Sequence, residues 1–236
     1  SLINEQGNLD NYDGINTALQ IGKKGGHWRY NMGANFVSKQ FDPNDLGINY
    51  ITNYNSYYSN ISYRILSPSK YFNIFRINKN IYTEFHNTTG KIQQGQLNFD
   101  ITANTLKNDY LKFELYLNPF EIYDYFKSRY GRAVIITENV YTSFYLSTNY
   151  NHPLALDINP YAKFFAEKNR INYGLTIAPR YRVSNRLLLN FSLDYYIQEN
   201  DNGNAGYDTN IQSTVFSKRN RNTISSELGL KYAFTR

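Results

Sequence analysis

Apolar and polar side chains alternate residue by residue through long stretches of this chain. In residues 26–38, GHWRYNMGANFVS, one phase holds Trp28, Tyr30, Met32, Ala34 and Phe36. The other holds His27, Arg29, Asn31, Gly33 and Asn35. A β-strand sends successive side chains to opposite faces and a helix does not, so this period predicts a strand. The pattern returns with Leu97, Phe99, Ile101 and Ala103 against Asn98, Asp100, Thr102 and Asn104. It returns with Leu111, Phe113, Leu115 and Leu117 against Lys112, Glu114 and Tyr116. Later runs place Asn172, Gly174, Thr176, Arg180 and Arg182, then Asn190, Ser192 and Asp194, opposite apolar neighbours. The last sets Leu228, Leu230, Tyr232 and Phe234 against Glu227, Gly229 and Lys231.

Polar turn residues separate the runs. KND (107–109), NHP (151–153), SNR (184–186) and RNRN (219–222) are tight, and GKKGG (22–26) and SPSK (67–70) nearly so. The alternate connections are mostly longer: 37–45, 118–133 and ENDNGNAGYD (199–208), with TTGK (88–91) and KNR (168–170) as short exceptions. The pattern predicts about twelve strands: 14–22, 27–37, 46–66, 71–86, 92–106, 110–119, 134–150, 154–167, 171–183, 187–199, 207–218 and 223–235. The third is expected as one long strand, because that keeps short and long connections in step.

The residue types on each face decide what surrounds such strands. The apolar phase is Leu, Ile, Phe and Tyr, with aromatic residues such as Trp28, Tyr150, Tyr181, Tyr232 and Phe234 near run ends. The polar phase is Asn, Gly, Ser, Thr and Arg with moderate charge. A lipid-facing band with aromatic girdles, backed by a wet interior, reads this way. Strands of about 10–16 residues also exceed the usual length of roughly 5–6 and suffice for a tilted membrane crossing. The expected fold is therefore all-β: an antiparallel up-and-down transmembrane β-barrel forming one domain over 1–236. Trp28, Tyr30, Phe36, Leu111, Phe113, Leu115, Leu228, Leu230, Tyr232 and Phe234 are expected to face lipid. Arg29, Asn31, Asn35, Lys112, Glu114, Arg180, Arg182 and Asp194 are expected to line the lumen. With short turns periplasmic and long loops extracellular, both chain ends fall outside the cell. A complete barrel normally keeps both in the periplasm, so a segment of a larger barrel is expected.

Bulk properties do not oppose this. Mean hydropathy is −0.60, and no apolar run approaches the roughly 18 residues a spanning helix needs. The chain has no Cys, which excludes disulfides, thiolate metal sites and thiol nucleophiles. Its net charge of +6 is spread at strand-like intervals except for SKRNRN at 217–222, so no nucleic-acid partner is expected.

Four stretches carry a family resemblance: FDPNDLGINYITNYNSYYSNISYRILSP (41–68), SRYGRA (128–133), YGLTIAPRYRVSNRLLLNFSLDY (173–195) and VFSKRNRNTISSELGLKYAFT (215–235). From about residue 40 the chain resembles Bacteroidetes outer-membrane proteins that join an N-terminal family-nine carbohydrate-binding-like domain to a C-terminal β-barrel domain of unknown function. The resemblance implies an outer-membrane location and a sugar-binding-like domain ahead of Ser1.

Candidate chemistry is sparse. Asp42, Asn44 and Asp45 place three oxygen ligands close together, as hard cations prefer, but Asp-Pro and Asn-Asp also begin turns, and the turn is the reading taken. His27, His86 and His152 lack metal-ligand spacing, and none has Ser two residues on. Ser143, Ser147 and Ser192 have no base nearby in sequence, so neither enzyme activity nor a cofactor is expected. The functional expectation is a transport or channel component for polar, carbohydrate-related solutes. The alternative is a non-conducting anchor or partner subunit of an outer-membrane complex, with membrane lipid and other outer-membrane or periplasmic subunits as partners.

Overall fold

The computed structural model describes residues 13–41, 52–124, 133–210 and 213–234. They form thirteen strands: β1 (Asn16–Lys23), β2 (Trp28–Val37), β3 (Tyr54–Ile65), β4 (Phe72–His86), β5 (Ile92–Thr105), β6 (Tyr110–Asn118), β7 (Ile122–Asp124), β8 (Val134–Ile136), β9 (Asn139–Ser147), β10 (Leu154–Phe165), β11 (Ile171–Arg182), β12 (Leu187–Asp208) and β13 (Ser213–Tyr232). Eleven make one antiparallel sheet in chain order, with β7 and β8 pairing separately as a small hairpin between β6 and β9. Among the described residues β1 and β13 are the two edges, and the sheet is open.

Burial runs opposite to that of a water-soluble fold. The buried apolar residues are Val37, Ala103 and Ala155, all small, whereas Ser56, Ser62, Glu84, Asn139, Ser143, Asn172, Gln198 and Asp201 are also buried. Large apolar side chains are outside: Leu19, Trp28, Phe144, Leu228, Leu230 and Phe234 are exposed. The pleat explains this, since residues facing across strands share a face. One apolar row reads Trp28, Tyr63, Ile77, Ile101, Phe113 and Phe144 from β2 to β9. The next polar row reads Arg29, Ser62, Asn78, Asp100, Glu114 and Ser143. Lys79 is an exception, standing exposed between Ile61 and Phe99 in an apolar row.

The strand ends depart from the sequence pattern in identifiable ways. The third strand begins at Tyr54, with Asn53 at φ 64°, and the expected stretch 46–51 lies outside the described residues. The Asn53 side chain instead ties to the β4–β5 turn, bonding His86 and Thr88 at 2.9 and 3.0 Å. The expected strand 134–150 is broken at Thr137 and Glu138 into β8 and β9. The 118–133 connection contains β7, which leans on β5, and Lys91, just ahead of that strand, places its Nζ 3.9 Å from the centre of the Tyr123 ring.

The largest correction concerns residues 187–235. Neither ENDNGNAGYD nor RNRN is a connection. Both lie inside β12 and β13, which pair from Leu187↔Tyr232 to Asp208↔Ser213. Register shifts between Gln198 and Asp201, and between Asn204 and Gly206, absorb the turn-forming residues. Asn200 (φ 50°) and Gly206 (φ 126°) carry the distortion. The main sheet thus has eleven strands rather than about twelve. Asn16 and Tyr232 lie at opposite ends of it, not together at the long-loop end, because Asn16 pairs with Val37 and Tyr232 with Leu187. β11 leaves β12 at Glu199, so residues 200–208 and their partners stand as a two-stranded ribbon about 30 Å beyond the neighbouring strand.

Two glycines on the polar face make room for tyrosine rings. A Cβ on Gly174 would lie 2.5 Å from the Tyr161 ring and 2.7 Å from the Tyr195 carbonyl oxygen. One on Gly33 would lie 2.6 Å from the Tyr58 hydroxyl. Replacing Gly174 with Val is expected to displace Tyr161 and destabilise the detergent-solubilised protein by about 1–3 kcal/mol. Gly229→Ala, whose nearest neighbour would be 3.8 Å away, is expected to leave thermal unfolding nearly unchanged. Equal melting curves for Gly174→Val and the native chain would contradict the ring placement.

Candidate functional site

The polar face is a built surface of side chains tied across strands. In one row Asn31, Asn60, Asn80, Asn98, Tyr116 and Tyr141 stand opposite one another from β2 to β9. Gln20 donates to Asn31 Oδ1 at 2.7 Å, Asn60 donates to Asn80, and Asn80 donates to Asn98 at 3.1 Å. An amide carries both donor and acceptor, so it can bond neighbours on either side along a sheet. Tyrosines continue this surface: the ring centres of Tyr116 and Tyr141 lie 5.7 Å apart, Tyr141 and Tyr161 6.5 Å, and Tyr161 and Tyr196 5.9 Å. Tyr116, Tyr141 and Tyr161 stand on successive neighbouring strands, and Tyr161 meets Tyr196 across Gly174 of the intervening β11.

The expected lumen residues share this face but do not form one centre. Arg29 Nε donates to the Gly26 carbonyl at 3.1 Å, and Asn35 donates to Ser56 at 3.4 Å. Lys112 and Glu114 form an ion pair of 2.6 Å, and Glu114 also accepts from Ser143 and Tyr116, both at 3.1 Å. Arg180 stacks its guanidinium 4.8 Å from the Tyr150 ring centre, and Arg182 donates to the Tyr150 carbonyl at 3.1 Å. Asp194 accepts from Thr176 at 2.7 Å. Of the expected lipid-facing set, Trp28, Tyr30, Phe36, Phe113, Leu228, Leu230, Tyr232 and Phe234 are exposed, and Leu111 and Leu115 are half-buried in the apolar rows. Asp42, Asn44 and Asp45 lie outside the described residues. The histidines are not gathered: His27 Nδ1 is 2.8 Å from the Arg64 carbonyl at one end of the sheet, and His86 bonds Asn53 at the other.

The sequence pattern did not reveal two further groupings. Arg64 and Arg76 stand directly opposite each other beside Arg29, because only the register shows which residues of β3 and β4 meet. At the long-loop end a charged cluster braces the projecting ribbon. Arg170 bonds Glu167 at 2.9 Å and Asp201 at 2.8 Å, Lys218 bonds Glu167, and Asn202 donates to Glu167 at 3.1 Å. Gln198 donates to Asp201 at 2.9 Å.

These features define a class: a long-stranded antiparallel sheet whose polar face is cross-linked and whose apolar face is open to its surroundings. The family described as "Domain of unknown function (DUF5916)" matches residues 1–236, and the chain belongs to it. No curated protein matches the chain. Among solved structures, a rhombohedral crystal form of the NanC porin is similar, with 10% identity and a TM-score of 0.37 over 95% of this chain and 96% of that one.

Partial burial pushes the Glu167 carboxyl up, but Lys218 and Arg170 outweigh it and hold the group below its ordinary value. A carboxyl lowered in this way stabilises the fold above its unfolded pKa. That contribution is lost as pH falls through the lowered value. Hydrogen-exchange protection of residues 200–208 is therefore expected to hold from about pH 7 to about pH 5 and to fall as pH drops below the ordinary Glu value of about 4.3. In Glu167→Gln it is expected to be low and flat over that range. Undiminished protection in Glu167→Gln would show that the cluster does not brace the ribbon.

Proposed function

We propose that this chain forms the membrane-spanning wall of a bacterial outer-membrane β-barrel of the Bacteroidetes type. Its polar face lines an aqueous path for polar solutes, carbohydrate-related ones among them. The observation that carries the reading is the inverted burial: large apolar side chains outside, polar side chains sheltered. Soluble monomers rarely expose a contiguous apolar patch beyond a few hundred Å², whereas hydrocarbon solvates such a face at no cost. Lys79 opposes the reading by about 2–4 kcal/mol if it sits at the midplane, less where its stem lets the ammonium reach toward the interface. Each well-buried Leu, Ile or Phe contributes about 1.5–3 kcal/mol in the other direction, so the apolar belt outweighs it.

Hydrocarbon offers backbone groups no partner, so the edges at β1 and β13 must themselves be paired. Bacterial barrels have even strand numbers and the main sheet has eleven, which supports completion by further strands into a larger barrel. The end at which β2 and β6 finish, with the β12–β13 ribbon, faces outward in this reading. A second reading, a non-conducting anchor or partner subunit, draws on the tyrosine row and on the Asn ladder, which could fill the interior rather than line it.

Planar-bilayer recording separates the two. Reconstituted protein is expected to give stepwise ohmic conductance. A flat trace from protein that has inserted would remove the passage reading and leave the anchor.

A further inference from the structure

At the short-turn end of the polar face three arginines stand together, and among the described residues none of them forms an ion pair with a carboxylate. Arg64 of β3 and Arg76 of β4 are direct cross-strand neighbours, and Arg29 of β2 faces Ser62, two residues from Arg64. Like charges directly opposite are destabilising in a sheet, and Arg64 and Arg76 are such a pair. Asp100, a counter-charge on the same face, accepts from Asn78 at 2.7 Å and forms no ion pair among the described residues. Lys112, farther along the same row as Arg76, is neutralised by Glu114. Nothing comparable neutralises the arginines: among the described residues their side-chain bonds go to the Gly26 carbonyl from Arg29 and to Ser62 from Arg64, at 3.2 Å. The Arg76 Nε is buried with no hydrogen-bond partner. Beside them opens a hollow of about 590 Å³, lined by Arg29, Arg64, Ser62, Asn60, Asn31 and Lys24 among others. That is within the size range of small-molecule sites.

We propose that this hollow is an oxyanion-binding subsite, taking a small solute through its carboxylate, sulfate or phosphate group. The inference deepens the reading of the polar face as a solute path by naming a charge class for the solute. A guanidinium presents donors in a planar fork that matches such groups. An anion in the hollow beside Arg29 and Arg64 offsets the repulsion among these cations. Ser62, Asn60 and Asn31 add neutral polar groups for the remainder of the solute.

Calorimetric titration of the detergent-solubilised chain with sodium sulfate, sodium glucuronate and neutral glucose tests the site without requiring conduction. Sulfate and glucuronate are expected to bind saturably and glucose not at all. Arg29→Gln and Arg64→Gln are expected to weaken sulfate binding about tenfold or more, the value of a charged hydrogen bond. Arg64→Lys, which keeps the charge and loses the fork, falls between. Arg221→Gln, a polar-face arginine near the other end, is expected to match the native chain. These variants relieve repulsion, so they are expected to keep the native far-ultraviolet β signal, and the native titrations stand even without them. No saturable binding of either anion, or equal losses in Arg64→Gln and Arg221→Gln, would overturn the proposal. Sulfate binding alongside a flat bilayer trace supports the subsite and overturns only the passage reading. Conductance without sulfate binding does the reverse.

Discussion

The structure depends on one requirement: every strand must satisfy its backbone groups sideways, because neither face offers a compact core to close over it. Eleven strands in consecutive antiparallel order meet that requirement from β2 to β12. Once the ladder is continuous, the pleat sorts the side chains without further instruction. Trp28 and Arg29 differ by one position and belong to opposite environments. A register slip of one residue would carry the whole Asn and Arg phase into the apolar belt. The cross-strand amide bonds from Gln20 to Asn98 and the bond from Ser143 to Glu114 therefore also pin the register.

The polar face divides along its length into three chemistries. Amides dominate β2 to β5, tyrosine rings cross β6 to β12, and arginines gather at the short-turn end of β2 to β4. Gly33 and Gly174 let rings lie close over the backbone where a side chain would lift them. At the other end the strands stop serving the sheet and become the β12–β13 ribbon. There charge replaces packing as the stabilising interaction, through Glu167, Arg170, Asp201 and Lys218.

Strands with clean alternation could be read directly. β2, β6 and β11 fall close to their expected bounds, because apolar and polar phases there persist to the turn. β12 and β13 could not be read, since the alternation fades where the ribbon leaves the apolar belt. Asn, Gly and Arg at 199–222 carry the composition of turns, yet a strand pair in a polar setting needs no apolar phase. Its Asp201 faces Arg219, and its irregular residues fit into bulges. The odd strand number, and with it the opposite placement of Asn16 and Tyr232, followed from that one feature. Arg64 and Arg76 escaped notice for a different reason: each sits in an ordinary alternating run, and their meeting is a fact of register between strands.

The account rests on the apolar face being solvated by acyl chains, and Trp28 reports on it directly. It is the single tryptophan of the chain and is 60% exposed in the apolar rows. In vesicles whose acyl chains are brominated near the glycerol, its fluorescence should be strongly quenched, while aqueous iodide should have little effect. Free access of iodide with no quenching by the brominated lipid would place that face in water and contradict the account.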